Sequence, residues 1–179
     1  ESQDLPHDLN QVWKNLLPAF QAKPLASNPA ALHALSKFNQ TRQIKAPISS
    51  LQAPLPTKSY PLGTNPLDFQ QINVNSKGTM TIISKDSVQH KFQLAQGKWM
   101  KGKSNLVGPY MLRAAKVDLA QKAPFDYAGS YRWLNAETLE ITLLYFEIPH
   151  HWTFTLKGDQ ISVVNSFEPK TEIKLPQRK

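Results

Sequence analysis

TLEITLLYFEIP at residues 138–149 and HWTFTLKGDQISVVNSF at 151–167 decide the fold. In the first stretch Leu139, Ile141, Leu143 and Tyr145 alternate with Glu140, Thr142 and Leu144. A period of two places these sets on opposite faces of a strand. In the second, Lys157-Gly158-Asp159-Gln160 is a compact turn between two runs rich in β-branched and aromatic residues, which reads as an antiparallel hairpin. Working outward, Asn135-Ala136-Glu137 joins this region to a strand in YAGSYRW (127–133), and KTEIKL (170–175) supplies another. Towards the N-terminus, NPLDFQQINVNSKG alternates at Leu67 and Phe69 and again at Ile72 and Val74, with a bulge predicted between the pairs. TMTIISKDSVQHKFQL then gives two strands around Lys85-Asp86, with Met80 and Ile82 on one face and Val88, His90, Phe92 and Leu94 alternating after the turn. About eight short strands without intervening helices point to an antiparallel barrel or sandwich. The succession of hairpins favours a meander, and closure would remove exposed edges, so the expected fold is a mainly β antiparallel barrel over residues 51–179.

The first fifty residues follow a different rule. DLNQVWKNLLPAFQ spaces Leu9, Val12, Trp13, Leu16, Leu17 and Phe20 by threes and fours, a one-sided helical stripe that Pro18 ends or kinks. SNPAALHALSKFNQTRQ predicts a second helix, with Asn28 as cap, Pro29 at its first position and Ala31, Leu32, Leu35 and Phe38 on its apolar face. Neither is long enough to stand alone in water, so both need a surface. Trp13, Leu16, Leu17 and Phe20 are the candidates for contact with the barrel or with a partner. Residues 43–57, QIKAPISSLQAPLPT, are expected to form an extended, ordered connection across another part of the protein. The predicted organisation is therefore a helical arm and connection over 1–50 and a β-barrel domain over 51–179.

With 179 residues, 40% hydrophobic and 19% charged, the chain can bury a real core and is not a disordered polymer. Fourteen prolines against seven glycines argue against glycine-rich phosphate loops. The absence of cysteine excludes disulfides, zinc–thiolate sites and thiol catalysis. No apolar run reaches the length of a membrane helix. The formal charge of +8 comes mostly from scattered lysines, seventeen of 21 basic residues. Lys98, Lys101 and Lys103 beside Trp99 form the densest cluster, short of the stripe that nucleic-acid binding requires, so no nucleic-acid partner is expected. Adjacent His150 and His151 point to opposite faces of a strand and cannot easily chelate one metal together. Joining one of them with His90 and Glu147 is not required by any spacing, and neither a metal nor another cofactor is expected.

Several spaced motifs carry a family resemblance. They are an opening with Lys58, Tyr60, Leu62, Asn65, Pro66 and Leu67, a Gly97/Trp99 segment, then Gly129 and Trp133 followed by Thr138, Phe146, Glu147 and Pro149, and last Phe154, Leu156, Gly158, Asp159 and Ile161. In this order they resemble the C-terminal accessory domain of bacterial serine hydrolases related to class C beta-lactamases and D-alanyl-D-alanine carboxypeptidases. The resemblance implies a lipocalin-like barrel with no established activity of its own, placed beside a catalytic domain in cis or in trans. Ile148, where the family usually has threonine, and the wider spacing around Ser130-Tyr131-Arg132 depart from the pattern. An extracytoplasmic location, periplasmic or in the cell envelope, is expected, with the cytoplasm as the alternative. The chain opens at Glu1 rather than methionine, which implies a removed leader or a fragment.

The chemistry of that hydrolase family is not legible in this chain. Serine–lysine acylation needs Ser-x-x-Lys, a tyrosine or serine base and a Lys-Thr-Gly strand. No Ser-x-x-Lys, no Tyr-x-Asn and no Gly-x-Ser-x-Gly occurs, and Lys77-Gly78-Thr79 breaks the required order. The expected role is a non-catalytic accessory or interaction domain of a serine hydrolase. The alternative is a lipocalin-like binding protein for a small apolar or amphipathic ligand. Glu147 is the residue on which the alternatives turn. It continues the face of Leu139, Ile141, Leu143 and Tyr145, and a buried carboxylate must be hydrogen-bonded, paired or protonated. Arg132 and Arg113 are its candidate partners, and Trp133, Trp152 and Tyr145 would wall the pocket. Phe92, Leu143, Tyr145, Phe154 and Trp152 or Trp133 on the inward sets favour an interior filled by side chains. A solvent-connected apolar cavity of about 300 Å³ or more would favour the ligand-binding alternative instead.

Overall fold

A computed structural model of the protein describes residues 5–20, 26–41, 44–110 and 122–177. The chain divides into two compact units, Glu1–Ile44 and Lys45–Lys179. The first contains α1 (Leu5–Gln11), which passes into a π-helical turn, Val12–Leu16, and a 3₁₀ turn, Leu17–Ala19, where Pro18 sits. Its second helix, α2 (Pro29–Thr41), begins as the sequence predicts, with Asn28 Oδ1 accepting from the Ala31 N–H at 3.0 Å. No described side chain of this arm before Ile44 is buried. Trp13, Phe20 and Leu32 are 63%, 70% and 69% exposed.

The second unit is built from two sheets. β1 (Lys58–Pro61), β2 (Phe69–Asn75), β3 (Thr79–Ser84) and β4 (Gln89–Gln93) form a four-stranded antiparallel meander. Its β2–β3 ladder shifts register between Phe69 and Gln71, where the alternation of Phe69 and Ile72 changes phase. The remaining strands are β5 (Ala95–Gln96), β6 (Met100–Ser104), β7 (Phe125–Asn135), β8 (Thr138–Tyr145), β9 (His151–Lys157), β10 (Gln160–Asn165) and β11 (Glu172–Leu175). They make a seven-stranded sheet in the order β11-β10-β9-β8-β7, with β6 and β5 sharing the outer edge of the long β7. β6 pairs antiparallel with Phe125–Gly129, and β5 pairs parallel with Ser130 and Tyr131.

Both sheets turn an apolar face to one core. Ile72, Met80, Ile82 and Phe92 from the first, and Ile141, Leu143, Phe154 and Val163 from the second, are wholly buried. Each such side chain contributes about 1.5–3 kcal/mol through removal of apolar area from water.

The closed, lipocalin-like barrel expected from the hairpin succession is not what forms, because among the described residues neither seam between the sheets is bridged by a ladder. At one seam the edge N–H of Gln93 on β4 is satisfied by the Tyr127 hydroxyl at 2.7 Å rather than by a strand carbonyl. The Tyr127 ring meets Phe92 edge-on, with centroids 4.9 Å apart. That ring needs room, and Gly102, its cross-strand neighbour on β6, supplies it: a Cβ there would lie 2.6 Å from the Tyr127 hydroxyl. At the other seam the pairing between the β1 and β11 sides is reduced to the bridge Leu62–Gln177 and one bond from Gly63 N–H to Pro176 O at 2.7 Å. Pro61 and Pro176 flank that contact and have no N–H with which to extend it. The architecture is two open sheets over a shared core.

The stretch 45–57 belongs with the sheets and runs extended across their edge. Ser49 Oγ donates to Trp133 O, Gln96 holds Leu51 O and the Ala53 N–H, and Ala53 O accepts from Trp133 Nε1 at 3.0 Å. Leu55 then enters the core at 1% exposure.

Candidate functional site

A cleft of about 810 Å³ opens on the sheet unit. Its apolar lining comes from Leu67 in the loop before β2, Phe69 at the start of β2, Leu106 and Val107 after β6, Trp152 on β9 and Ile173 on β11. Tyr110 adds a third aromatic residue to Phe69 and Trp152. Asp68, Lys85, Asp86 and Glu168 line it with exposed charged side chains, and Ser84 and His90 also contribute.

Two loops frame this cleft, and side chains substitute for a ladder in holding them. Asn65 is buried and spends its amide on its own loop. It donates to Gly63 O and Phe69 O at 2.8 and 2.6 Å and accepts from the N–H groups of Leu67 and Phe69. That wrapping sets Asp68 in the left-handed region, φ 55°, which aspartate tolerates better than most residues. The 84–88 turn is stitched alongside by Lys85 N–H to Asp68 O and by Gln70 Nε2 to Lys85 O, both at 2.8 Å. A smaller hollow of about 460 Å³ shares Asp68, Phe69 and Lys85 with the main cleft.

Ser84, Asp86 and His90 form a hydrogen-bonded trio at the β3–β4 turn. Ser84 Oγ lies 2.7 Å from Asp86 Oδ1 and 3.0 Å from His90 Nε2. The Ser84 hydroxyl bond, with the Val88 N–H, holds the Asp86 carboxyl below its ordinary range, so it is an ionised, acceptor-only group at neutral pH. Ser84 Oγ has Asp86 Oδ1 and, at 3.2 Å, the Val88 carbonyl as acceptors, and the direction of its bond with His90 Nε2 is set by the imidazole tautomer. Burial pushes the imidazole pKa down against the smaller opposing pull of Asp86, keeping the ring neutral. The trio locks the β3–β4 turn.

The residues singled out from sequence do not converge. Of the residues expected to form a ligand pocket, Trp152 alone lines the cleft; it is buried, and its indole N–H has no acceptor among the described residues. Glu147 is exposed rather than inward, because β8 ends at Tyr145 and the following bend turns Ile148 into the core instead. Glu147 Oε1 accepts the Asp126 N–H at 2.9 Å and so ties that bend to β7. Arg132 is directed to its cross-strand neighbour Glu140, with Nε 2.6 Å from Oε1, and not to Glu147. Arg113 lies outside the described residues. Trp133 is committed to Ala53 O. Tyr145 is packed edge-on to Phe125 at 6.3 Å; burial raises its pKa, and its hydroxyl has no partner among the described residues. Among the described residues no three histidine, aspartate or glutamate side chains are grouped to hold a metal ion. No helix among them is long and apolar enough to cross a membrane.

Sequence reasoning missed Asp68, Lys85, Asp86 and Glu168 as one site, since they are distributed over three turns. The signal that was present was polar turn residues flanking strong strands: LDF at 67–69, SKDS at 84–87 and the segment after Asn165.

No protein-family model, no curated protein and no solved structure matches this chain. The resemblance to the accessory domain of beta-lactamase-related serine hydrolases is therefore overturned, as is the lipocalin-like barrel it implied. The motifs it rested on have a local explanation in hairpin chemistry. Alternating aromatics followed by Gly158-Asp159 are what a tight turn between two half-buried strands demands, with Gly158 at φ 57°.

Proposed function

We propose that the sheet unit is a non-catalytic binding module that takes a small, predominantly apolar molecule into the cleft beside Trp152. The observation that carries this reading is the cleft itself, about 810 Å³ and open to solvent, well above the roughly 300 Å³ at which a pocket becomes large enough for a ligand. The reading does not depend on barrel closure: two open sheets over one core leave a mouth where their loops diverge. Leu67, Phe69, Leu106, Val107 and Ile173 supply the apolar surface a ligand would cover. The test is titration of the chain with a neutral fluorescent probe such as N-phenyl-1-naphthylamine. Saturable uptake of one molecule per chain is expected, and Val107→Trp, which fills the cleft, is expected to abolish it. A folded chain that takes up no probe, or a Val107→Trp variant that binds it equally well, defeats the reading.

A further inference from the structure

The cleft has a charge that the rest of the protein does not. The chain as a whole is formally +8. The described residues lining the cleft carry three carboxylates, Asp68, Asp86 and Glu168, against one ammonium, Lys85, a formal −2 with His90 neutral. None of the four makes an ion pair among the described residues. A negative mouth on a positive molecule, with low-dielectric walls behind it, concentrates cations and turns away anions. The second observation is independent of charge: Phe69, Tyr110 and Trp152 all line the cleft. Aromatic faces attract ammonium groups, and walls of this composition favour a substituted ammonium over a hydrated inorganic ion.

We infer that the ligand is a free amphiphile with a substituted ammonium head and an apolar body, the head held among Asp68, Glu168 and the aromatic residues and the body against Leu106, Val107 and Ile173. This rests on the binding reading above and specifies its ligand class. A cleft of about 810 Å³ has room for a whole small molecule, which favours a free ligand over the head group of a lipid kept in its bilayer.

The experiment uses three eight-carbon probes below their micelle thresholds, octyltrimethylammonium, octanoate and octanol, titrated into the full chain by calorimetry, with tryptophan emission followed in the chain and in Trp152→Phe. Octyltrimethylammonium is expected to bind about tenfold more tightly than octanol, with octanoate weakest. The preference is expected to shrink with added salt and to collapse in the double variant Asp68→Asn, Glu168→Gln. Asparagine accepts the left-handed backbone at position 68, so this variant keeps the loop. Equal binding of the ammonium and the alcohol overturns the ammonium assignment and leaves the binding reading standing, as does tighter binding of octanoate. Binding of none of the three overturns both. Sedimentation with phosphatidylcholine vesicles, without binding of monomeric octyltrimethylammonium, would overturn assignment to a free ligand.

Discussion

Two regions of the same core were built with similar side chains and ended differently. Around Tyr127 the space between the sheets is filled: Phe92 meets the ring edge-on, the Gln93 N–H takes its hydroxyl, and Gly102 yields the volume the ring occupies. Around Trp152 the aromatics are as large, yet a cleft remains, because the chain there consists of loops held by their own polar groups. Asn65 satisfies its loop internally, and the Ser84–Asp86–His90 lock does the same for the next turn. A loop that has met its own hydrogen-bonding needs gains nothing in hydrogen bonds by collapsing onto the opposite sheet. Apolar content alone does not close a core; the backbone around it must also be free to approach.

Truncation sharpens this contrast most. Phe92→Ala, in the filled region, is expected to cost about 3–5 kcal/mol, since a cavity is added to the lost transfer energy. Chemical denaturation reads this directly, and a loss below about 1 kcal/mol would mean that the region is not tightly packed. Gly102→Ala is expected to cost about 1–3 kcal/mol by overpacking, because the added methyl meets a ring pinned on two sides. A neutral outcome would show that Tyr127 can move away. On the cleft side, Ile173→Ala is expected to cost only about 1 kcal/mol, as water already reaches the site and no sealed cavity forms. A cost equal to that of Phe92→Ala would erase the distinction between the regions.

The smallest effect is on pH. His90 and His151 both have their pKa values pushed below 6.5 by burial, His151 also by the neighbouring His150. The unfolded chain therefore binds these protons first as pH falls. Stability is level above about pH 7 and declines as pH drops below about 6.5, flattening once the folded pKa values are passed. His90→Gln should make the decline shallower. Stability that rises on acidification through this window would contradict the burial of both rings.

Strand identity was legible because it is local. The inward set Leu139, Ile141, Leu143 and Tyr145 is buried throughout, and the turns at 135–137 and 157–160 join the strands they were read to join. The stretch read as an extended connection over 43–57 was not traceable to its anchors on Trp133 and Gln96, since they lie 43 to 84 residues away in the chain. Glu147 shows where periodicity stops being informative. Alternation places it inward only while the strand lasts, and β8 ends two residues before it.

The sequence by itself determined most of the elements: two helices with apolar faces, about eight of the eleven strands through alternation and turn residues, and a phase change between Phe69 and Ile72. Those follow from interactions within a few residues. Only the tertiary structure decided that the sheets stay open and that a negatively charged cleft lies between their loops. Closure depends on whether two distant edges can exchange backbone hydrogen bonds. A tyrosine hydroxyl answered that at one seam and a pair of prolines at the other.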